Sequence, residues 1–563
     1  MKVIIVGGVA GGATAAARIR RLDEHAEIIV FERSGYISYA NCGLPYYIGD
    51  VITDPEELTL QTPESFFKRF RINMKIHHEV ISIHPERKTV SVKNLENGEI
   101  FEEKYDKLIL SPGAKPTQPR LPGVGMDKLF TLRTVEDTFR IKEYINKNHP
   151  KSAVLAGGGF IGLELAENLR ELGMDVTIVQ RPKQLMNPFD PDMASMIHNE
   201  MRKHGIKLVL GYTVEGFKEK DNGVEVLLKD NPSLQADMVV LAIGVTPDTA
   251  LAKEAGLELG IKGSIVVNDR METSVPDIYA AGDAVQVKHY VTGDDALISL
   301  AGPANKQGRI IADNICGGDS RYLGSQGSSV IKVFDMTAAT TGINETNAKK
   351  SGLEVDTVIL SPMSHAGYYP GGKVMTMKVV FEKETYRLLG AQIIGYEGVD
   401  KRIDVLATAI HAGLKATQLK DLDLAYAPPY SSAKDPVNMA GFMIDNIAKG
   451  TLKQWHLEDM DKISKDKSVV LLDVRTVGEF NRGHMDGFRN IPVDELRERI
   501  NEIEKGKPVY LICQSGLRSY IASRILERNG YETYNFSGGF RFYDAVVNDR
   551  ALIERAYACG MDY

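Results

Sequence analysis

A short β-branched run, a turn of closely spaced glycines and an alanine- and leucine-rich helical stretch occur together twice in this sequence. The first copy is residues 3–6, then Gly7-Gly8-Val9-Ala10-Gly11-Gly12, then 13–22. The second, about 150 residues later, is 153–156, then Gly157-Gly158-Gly159-Phe160-Ile161-Gly162, then 163–172. A further strand pattern follows each, at 27–31 and 175–179. Such a turn bends a strand sharply into a helix and leaves the first helical N–H groups pointing outward. Those groups and the helix dipole together hold a phosphate. A βαβ unit used twice therefore reads as two dinucleotide-binding domains in an α/β chain.

The remaining sequence changes rhythm. From about residue 329 strand-like runs (374–381, 389–394) and a helical pattern (402–412) suggest an α+β domain. After Gly450-Thr451-Leu452-Lys453-Gln454-Trp455 an αβ alternation begins: strand 469–472, helix 494–503, strand 509–512, helix 519–528. The 563 residues suffice for three or four domains. A net charge of -7 gives no general attraction to nucleic acid or anionic membrane. No run approaches the ~20 apolar residues of a membrane span, and the N-terminal apolar stretch is too short for a signal peptide. Only Cys42, Cys316, Cys513 and Cys559 occur, too few and too scattered for a disulfide scaffold or a zinc knuckle. A cytoplasmic protein is expected.

Glu32 lies twenty residues after Gly12, where a carboxylate accepts hydrogen bonds from a ribose. Far downstream runs Ile278-Tyr279-Ala280-Ala281-Gly282-Asp283-Ala284. Read alone, Asp283 is a helix N-cap. With two glycine turns upstream, the segment resembles the second FAD motif of the flavoprotein disulfide reductases. The resemblance implies two Rossmann-like domains. The first takes FAD through Gly7, Gly11, Gly12, Glu32 and Asp283, although Val9 stands where the pattern has its middle glycine. The second takes NAD(P)H through Gly157, Gly159 and Gly162, with Phe160 covering the flavin and Glu164 touching the nicotinamide. Its second strand ends in Gln180-Arg181, without the carboxylate expected for an NAD ribose, which leans toward NADPH.

Cys42 stands in Ser38-Tyr39-Ala40-Asn41-Cys42-Gly43-Leu44-Pro45, where this family carries its redox cysteine to the flavin. No second cysteine follows before Cys316, so Cys42 needs an outside partner: a sulfenic acid, a mixed disulfide or a persulfide. Single-cysteine members include NADH peroxidases, NADH oxidases and coenzyme A–disulfide reductases. Ala10 replaces the histidine of the peroxidases and oxidases in the first turn. His365-Ala366-Gly367-Tyr368-Tyr369-Pro370 and Tyr426-Ala427-Pro428-Pro429-Tyr430-Ser431-Ser432 resemble the coenzyme A–disulfide reductases. There, tyrosines matching Tyr368 and Tyr426 reach the cysteine from the second subunit, which implies a homodimer. Arg18 and Arg21 share one helix face and, with Ser38 and Asn41, are the expected contacts for coenzyme A.

Leu472-Asp473-Val474-Arg475, Glu479 and Gly483-His484 resemble the opening of a rhodanese domain. Strand 509–512 delivers Cys513 into Gln514-Ser515-Gly516-Leu517-Arg518-Ser519 just before a helix, and the N–H groups of such a loop favour a sulfur anion. Four residues separate Cys513 from Arg518, against five in cysteine phosphatases, and the tighter loop suits a sulfane sulfur. Arg518 is expected to help stabilise the persulfide. Cys316 and Cys559 read as structural. The whole chain thus resembles the coenzyme A–disulfide reductase/rhodanese fusions, also described as NAD(P)H-dependent persulfide reductases. The implied organisation is an FAD domain in two parts (1–150 and 271–328), an NAD(P)H domain (151–270), an α+β dimerisation domain (329–450) and a rhodanese-like domain (455–563). The implied activity is reduction of coenzyme A persulfide, polysulfide or coenzyme A disulfide through Cys42, with Cys513 relaying sulfane sulfur. An NAD(P)H oxidase or peroxidase, a protein that is mainly a sulfurtransferase, and a coenzyme A-linked redox sensor are the alternatives.

Overall fold

The computed structural model describes residues 1–220 and 223–559. By internal contact the chain divides into two compact units: 1–183 with 205–327, and 184–204 with the chain from 328 onward. The short segment 184–204, expected within the second dinucleotide domain, groups with the second unit.

The first unit is built on two five-stranded parallel sheets. One is ordered Ile278–Ala280, Lys107–Leu110, Lys2–Val6, Glu27–Phe31, Asn73–Lys75. The other is ordered Leu129–Thr131, Met238–Leu241, Ser152–Ala156, Asp175–Gln180, Lys207–Leu210. Their strands are almost wholly apolar because both faces are buried, as parallel sheets require. Val3, Ile4, Ile5, Leu108, Ile109 and Val30 are fully buried in the first. The late strand Ile278–Ala280 pairs with Lys107–Leu110, so the segment that carries Asp283 returns to the sheet of the first glycine turn.

The two turn helices begin earlier than their sequences suggest, at Ala10 (Ala10–Leu22) and Phe160 (Phe160–Glu171). Ala13 N already donates to Val9 O at 2.9 Å and Leu163 N to Gly159 O at 3.0 Å. The last residues of each glycine turn are thus the first turn of the helix.

In the second unit an antiparallel sheet runs Ser329–Val333, Met336–Gly342, Leu388–Gly395, Met375–Glu382, Val355–Leu360. Helices Val399–His411 and Pro436–Ala448 accompany it. A parallel sheet follows, ordered Gln454–Trp455, Thr533–Phe536, Val509–Ile512, Val470–Asp473, Arg489–Asn490. It joins the edge strand Val355–Leu360 through side chains: Ile359 N donates to Ser537 Oγ at 3.0 Å, and Gln454 Nε2 donates to Thr357 O at 2.7 Å. The edge's exposed backbone groups are thereby partly covered.

One expected helix is absent. Residues 494–503 form turns and a single 3-10 turn, Ile500–Glu502. Leu496 and Ile503 are buried as a helical pattern would have them. The carbonyls of Ile500 and Ile503 accept the Tyr531 hydroxyl at 3.2 and 3.1 Å, which ties the end of this stretch to a residue about 30 positions further along the chain. Among the described residues no helix is long and apolar enough to cross a membrane.

Candidate functional site

The two glycine turns are shaped by close backbone approach. Gly7 and Gly157 have φ of +98° and +121°, a region that favours glycine. A Cβ on Gly7 would lie 2.1 Å from Ser111 O, and one on Gly157 would lie 2.2 Å from Ala242 O. Gly12 and Gly162 press their helices onto the turns: a Cβ there would meet Gly7 O at 2.0 Å and Gly157 O at 2.1 Å. Gly159 differs. Nothing lies within 4 Å of its Cβ position, so the turn is open on that side. Neither turn helix has a side-chain cap or an acidic residue in its first turn. Helices Pro63–Phe70 and Val135–Asn148, by contrast, carry full capping boxes. The first helical N–H groups at both turns are therefore left for a dinucleotide pyrophosphate, and the residues present fit that group.

The ends of the second strands face these turns. Glu32 Oε2 accepts from Gly8 N at 2.9 Å and Oε1 accepts from Ser34 N at 2.9 Å. At the second turn Gln180 Oε1 accepts from Gly158 N at 3.1 Å. Arg181 next to it is exposed. Phe160, the first residue of its helix, is half-buried.

Asp283 sits in the 3-10 turn Gly282–Ala284 and caps nothing with its side chain. Its Oδ2 accepts from Arg133 Nη2 at 2.7 Å. Cys42 lies in the 3-10 turn Asn41–Gly43, which runs directly into helix Leu44–Ile48. The residue is exposed. Its thiol is nonetheless pushed above the ordinary cysteine value, first by the burial its surroundings impose and then by Glu164; Arg133 opposes this and Asp283 adds to it. Glu164 and Asp283, singled out separately in the sequence, therefore both act on Cys42. Arg133 joins them without any sequence signal of its own. Burial, and next Glu167, raise the Glu164 carboxyl to about 7. Ser38 holds φ of +47° and donates its N–H to Gly8 O at 2.9 Å, which ties the cysteine segment to the first turn. A left-handed non-glycine residue costs about 1–2 kcal/mol, so this junction is strained. Asn41 is half-buried. Arg18 Nε donates to Asp313 Oδ1 at 2.8 Å, while Arg21 is exposed.

In the second unit Tyr368 and Tyr426 are exposed and share a hydroxyl–hydroxyl bond of 2.7 Å. The bond from Tyr368 raises the Tyr426 phenol above its ordinary value. Their two loops are clamped by Arg402, a buried residue that sequence reading passed over. It donates to Ser364 O at 3.0 Å, Tyr430 O at 3.3 Å, Ser431 Oγ at 3.1 Å and Asp435 Oδ2 at 2.9 Å.

Cys513 follows strand Val509–Ile512 and is fully buried. Its Sγ accepts from Gly516 N at 3.1 Å and Ser519 Oγ at 3.2 Å. The loop is pinned from behind, where Phe540 N donates to Cys513 O at 2.8 Å. Gly539 has φ of +72°, and a Cβ there would come within 2.7 Å of Ser515 Cα. Arg475, buried and chelated by Asp473, stacks 3.8 Å over Phe540. Arg518 is not bonded to the sulfur; it makes a two-point bond to Glu479, 2.7 Å at each end. That bond holds the Glu479 carboxyl at about 2. The side chain of Cys559 lies outside the described residues, and Cys316 is half-buried.

Paired parallel sheets with ligand-ready glycine turns, a lone cysteine between them, and a strand–cysteine–helix cradle define a dinucleotide-dependent thiol oxidoreductase joined to a sulfur-binding domain. Comparison with known proteins makes this specific. Residues 1–308 match the pyridine nucleotide-disulphide oxidoreductase family, 328–436 its dimerisation domain, and 456–545 the rhodanese-like domain. The chain is 39% identical over 443 residues to the coenzyme A disulfide reductase of Staphylococcus aureus (strain JH9), covering 78% of this chain and 99% of that one. The crystal structure of reduced Bacillus anthracis CoADR-RHD is 49% identical, covers 98% of each chain and superposes with a TM-score of 0.95. The structure of a NAD-dependent persulfide reductase from A. fulgidus is 38% identical over 96% of this chain and 100% of that one, with a TM-score of 0.90. The chain belongs to the pyridine nucleotide-disulphide oxidoreductases and carries a C-terminal rhodanese-like domain. It is a flavoprotein enzyme with FAD and NAD(P)H as cofactors, as the glycine turns led one to expect.

Proposed function

We propose that this enzyme uses NAD(P)H to reduce sulfane sulfur and disulfides carried by coenzyme A, and that its rhodanese-like domain feeds sulfur into that reaction. The observation that carries the reading is the presence of two sulfur nucleophiles in different settings. Cys42 is exposed and has no cysteine in its segment. Cys513 is buried in a loop that gives its sulfur an N–H and an O–H donor.

A lone exposed cysteine exchanges with a small-molecule sulfur compound. With coenzyme A persulfide, the Cys42 thiolate attacks the outer sulfur, the S–S bond breaks and coenzyme A leaves as its thiolate. Cys42 persulfide remains; in its anionic form, two electrons and one proton convert it to the Cys42 thiolate and hydrosulfide. Bound FAD, reduced by NAD(P)H, would supply that electron pair. With coenzyme A disulfide the same attack leaves a Cys42–coenzyme A mixed disulfide. Gly7, Gly11, Gly12, Glu32 and Asp283 hold the FAD; Gly157, Gly159, Phe160, Gly162, Glu164, Gln180 and Arg181 hold the nicotinamide dinucleotide. Arg18, Arg21, Ser38 and Asn41 receive coenzyme A. Tyr368 and Tyr426 serve the cysteine of the partner subunit in a homodimer, and Arg518 supports the Cys513 site. Thiol chemistry of this kind, with four scattered cysteines, suits the reducing cytosol.

The test is anaerobic NADH and NADPH consumption with coenzyme A persulfide, coenzyme A disulfide, polysulfide and peroxide offered separately. Wild type, Cys42→Ser and Cys513→Ser are compared and sulfide is quantified. Turnover with persulfide that needs Cys42 and releases sulfide supports the reading. Turnover with peroxide or oxygen alone, indifferent to Cys513, overturns it.

A further inference from the structure

Ser519 is fully buried in the first turn of helix Leu517–Arg528. Its hydroxyl has two acceptors, Gly516 O at 3.0 Å and Cys513 Sγ at 3.2 Å. One proton serves one of them at a time, and the two acceptors differ in need. Gly516 O also accepts from Tyr520 N at 3.0 Å and from Asn535 Nδ2 at 3.3 Å. It keeps two donors when the hydroxyl turns away. Among the described residues the sulfur then keeps Gly516 N alone.

The charge on the sulfur decides the competition. A thiol sulfur is a weak acceptor, so the carbonyl holds the hydroxyl while Cys513 is protonated. A thiolate forms a charge-assisted bond about twice as strong as a neutral one. Because the site is buried, water does not solvate that anion, and a protein donor matters more. The neighbouring guanidinium, Arg518, is engaged by Glu479 instead.

We propose that Ser519 is a catalytic residue of the Cys513 site, a hydroxyl that turns from the Gly516 carbonyl to the sulfur whenever the sulfur is a thiolate. The inference rests on the reading of Cys513 as a sulfur carrier. In loading, the thiolate attacks the terminal sulfur of a polysulfide dianion, leaving Cys513 persulfide and a polysulfide dianion shorter by one sulfur. In delivery, an acceptor nucleophile takes the outer sulfur and the Cys513 thiolate departs. Ser519 stabilises the nucleophile of the first step and the leaving group of the second.

The experiment uses the full-length FAD-loaded protein as wild type, Ser519→Ala and Ser519→Thr. Iodoacetamide alkylation of the Cys513 peptide is followed by mass spectrometry across pH. Each protein is then loaded with inorganic polysulfide and freed of excess, and discharge of one sulfur from Cys513 to cyanide is timed. In Ser519→Ala the alkylation midpoint is expected to rise by about one pH unit and discharge to slow about tenfold, the loss of one bond to a charged group. Ser519→Thr keeps the hydroxyl and is expected to restore both to within about threefold. Wild-type values in Ser519→Ala, or failure of Ser519→Thr to restore either readout, overturn the role of Ser519 while leaving Cys513 as the carrier. A wild type that takes up no sulfur on Cys513 removes the carrier reading and this inference together.

Discussion

Gly158 donates its N–H to Gln180 Oε1 at 3.1 Å, at the same station where Gly8 donates to Glu32 Oε2 at 2.9 Å in the first glycine turn. Both bonds fix the end of the second strand to the turn beside it. At the first turn the acceptor is a carboxylate, and at the second it is an amide. The amide does the structural work without placing a negative charge at that station.

Gln180→Glu is therefore expected to keep the fold, because its carboxylate accepts the same N–H. It is expected to lower kcat/KM for NADPH relative to NADH by about tenfold or more, the effect of one like-charge contact in a partly screened site. Steady-state kinetics with both dinucleotides on the two proteins measure the ratio. An unchanged ratio would show that Gln180 does not face the ribose.

Gly159→Ala and Gly162→Ala should separate binding from folding. The new methyl at 159 enters open space in the cradle, on an extended backbone any residue adopts, and the protein is expected to melt like wild type while binding NADPH at least about tenfold more weakly. The methyl at 162 meets Gly157 O at 2.1 Å and is expected to lower stability by about 1–3 kcal/mol. Calorimetric melting and dinucleotide titration on both variants check the contrast; equal melting losses would refute it.

Glu164 titrates near 7, so its charge changes across the working range. If it meets the nicotinamide, its ionised form favours the positively charged ring of NADP+ over the neutral ring of NADPH. Raising the pH from 6 to 8 is expected to tighten NADP+ several-fold in wild type and to leave Glu164→Gln unchanged. Isothermal titration at the two pH values is the measurement, and a pH-dependent Glu164→Gln would assign the titration to another group.

The Arg518 bond depresses the Glu479 carboxyl to about 2 from an ordinary value near 4.5. A carboxylate with a lowered folded-state value contributes its stability above about pH 4.5 and loses it as the pH falls toward 2. Allowing for partial exposure, Glu479→Gln is expected to cost about 1–2 kcal/mol at pH 7 and nearly nothing at pH 2. Denaturation at the two pH values, with Trp455 as a fluorescent reporter in the same domain, would show the gap closing. A gap that persists at pH 2 would mean the side chain matters through packing instead.

Several elements are legible in the amino-acid pattern alone. Strands Glu27–Phe31 and Val509–Ile512 fall where their apolar runs place them. The helix after Cys513 starts two residues early, at Leu517, because Gly516, with φ of +98°, supplies the bend. These features depend on residues adjacent in sequence. The 494–503 segment is not so local, since the Tyr531 hydroxyl bonds two of its carbonyls from 28 and 31 residues away. Arg133, which meets Asp283 across 150 residues, carries no local mark of its role, and neither does Arg402 under the tyrosine loops.

The sequence by itself determined the two dinucleotide turns, the absence of a local partner for Cys42 and the strand–cysteine–helix order around Cys513. Each is set by glycine geometry, backbone periodicity or simple spacing, and these act over a few residues. Tertiary structure alone decided which charged groups surround Cys42, that Arg518 is held by Glu479, and that the buried hydroxyl of Ser519 reaches the Cys513 sulfur. Those outcomes depend on how distant segments pack and on which of several competing partners a buried polar group finds. Pattern along the chain does not record that competition.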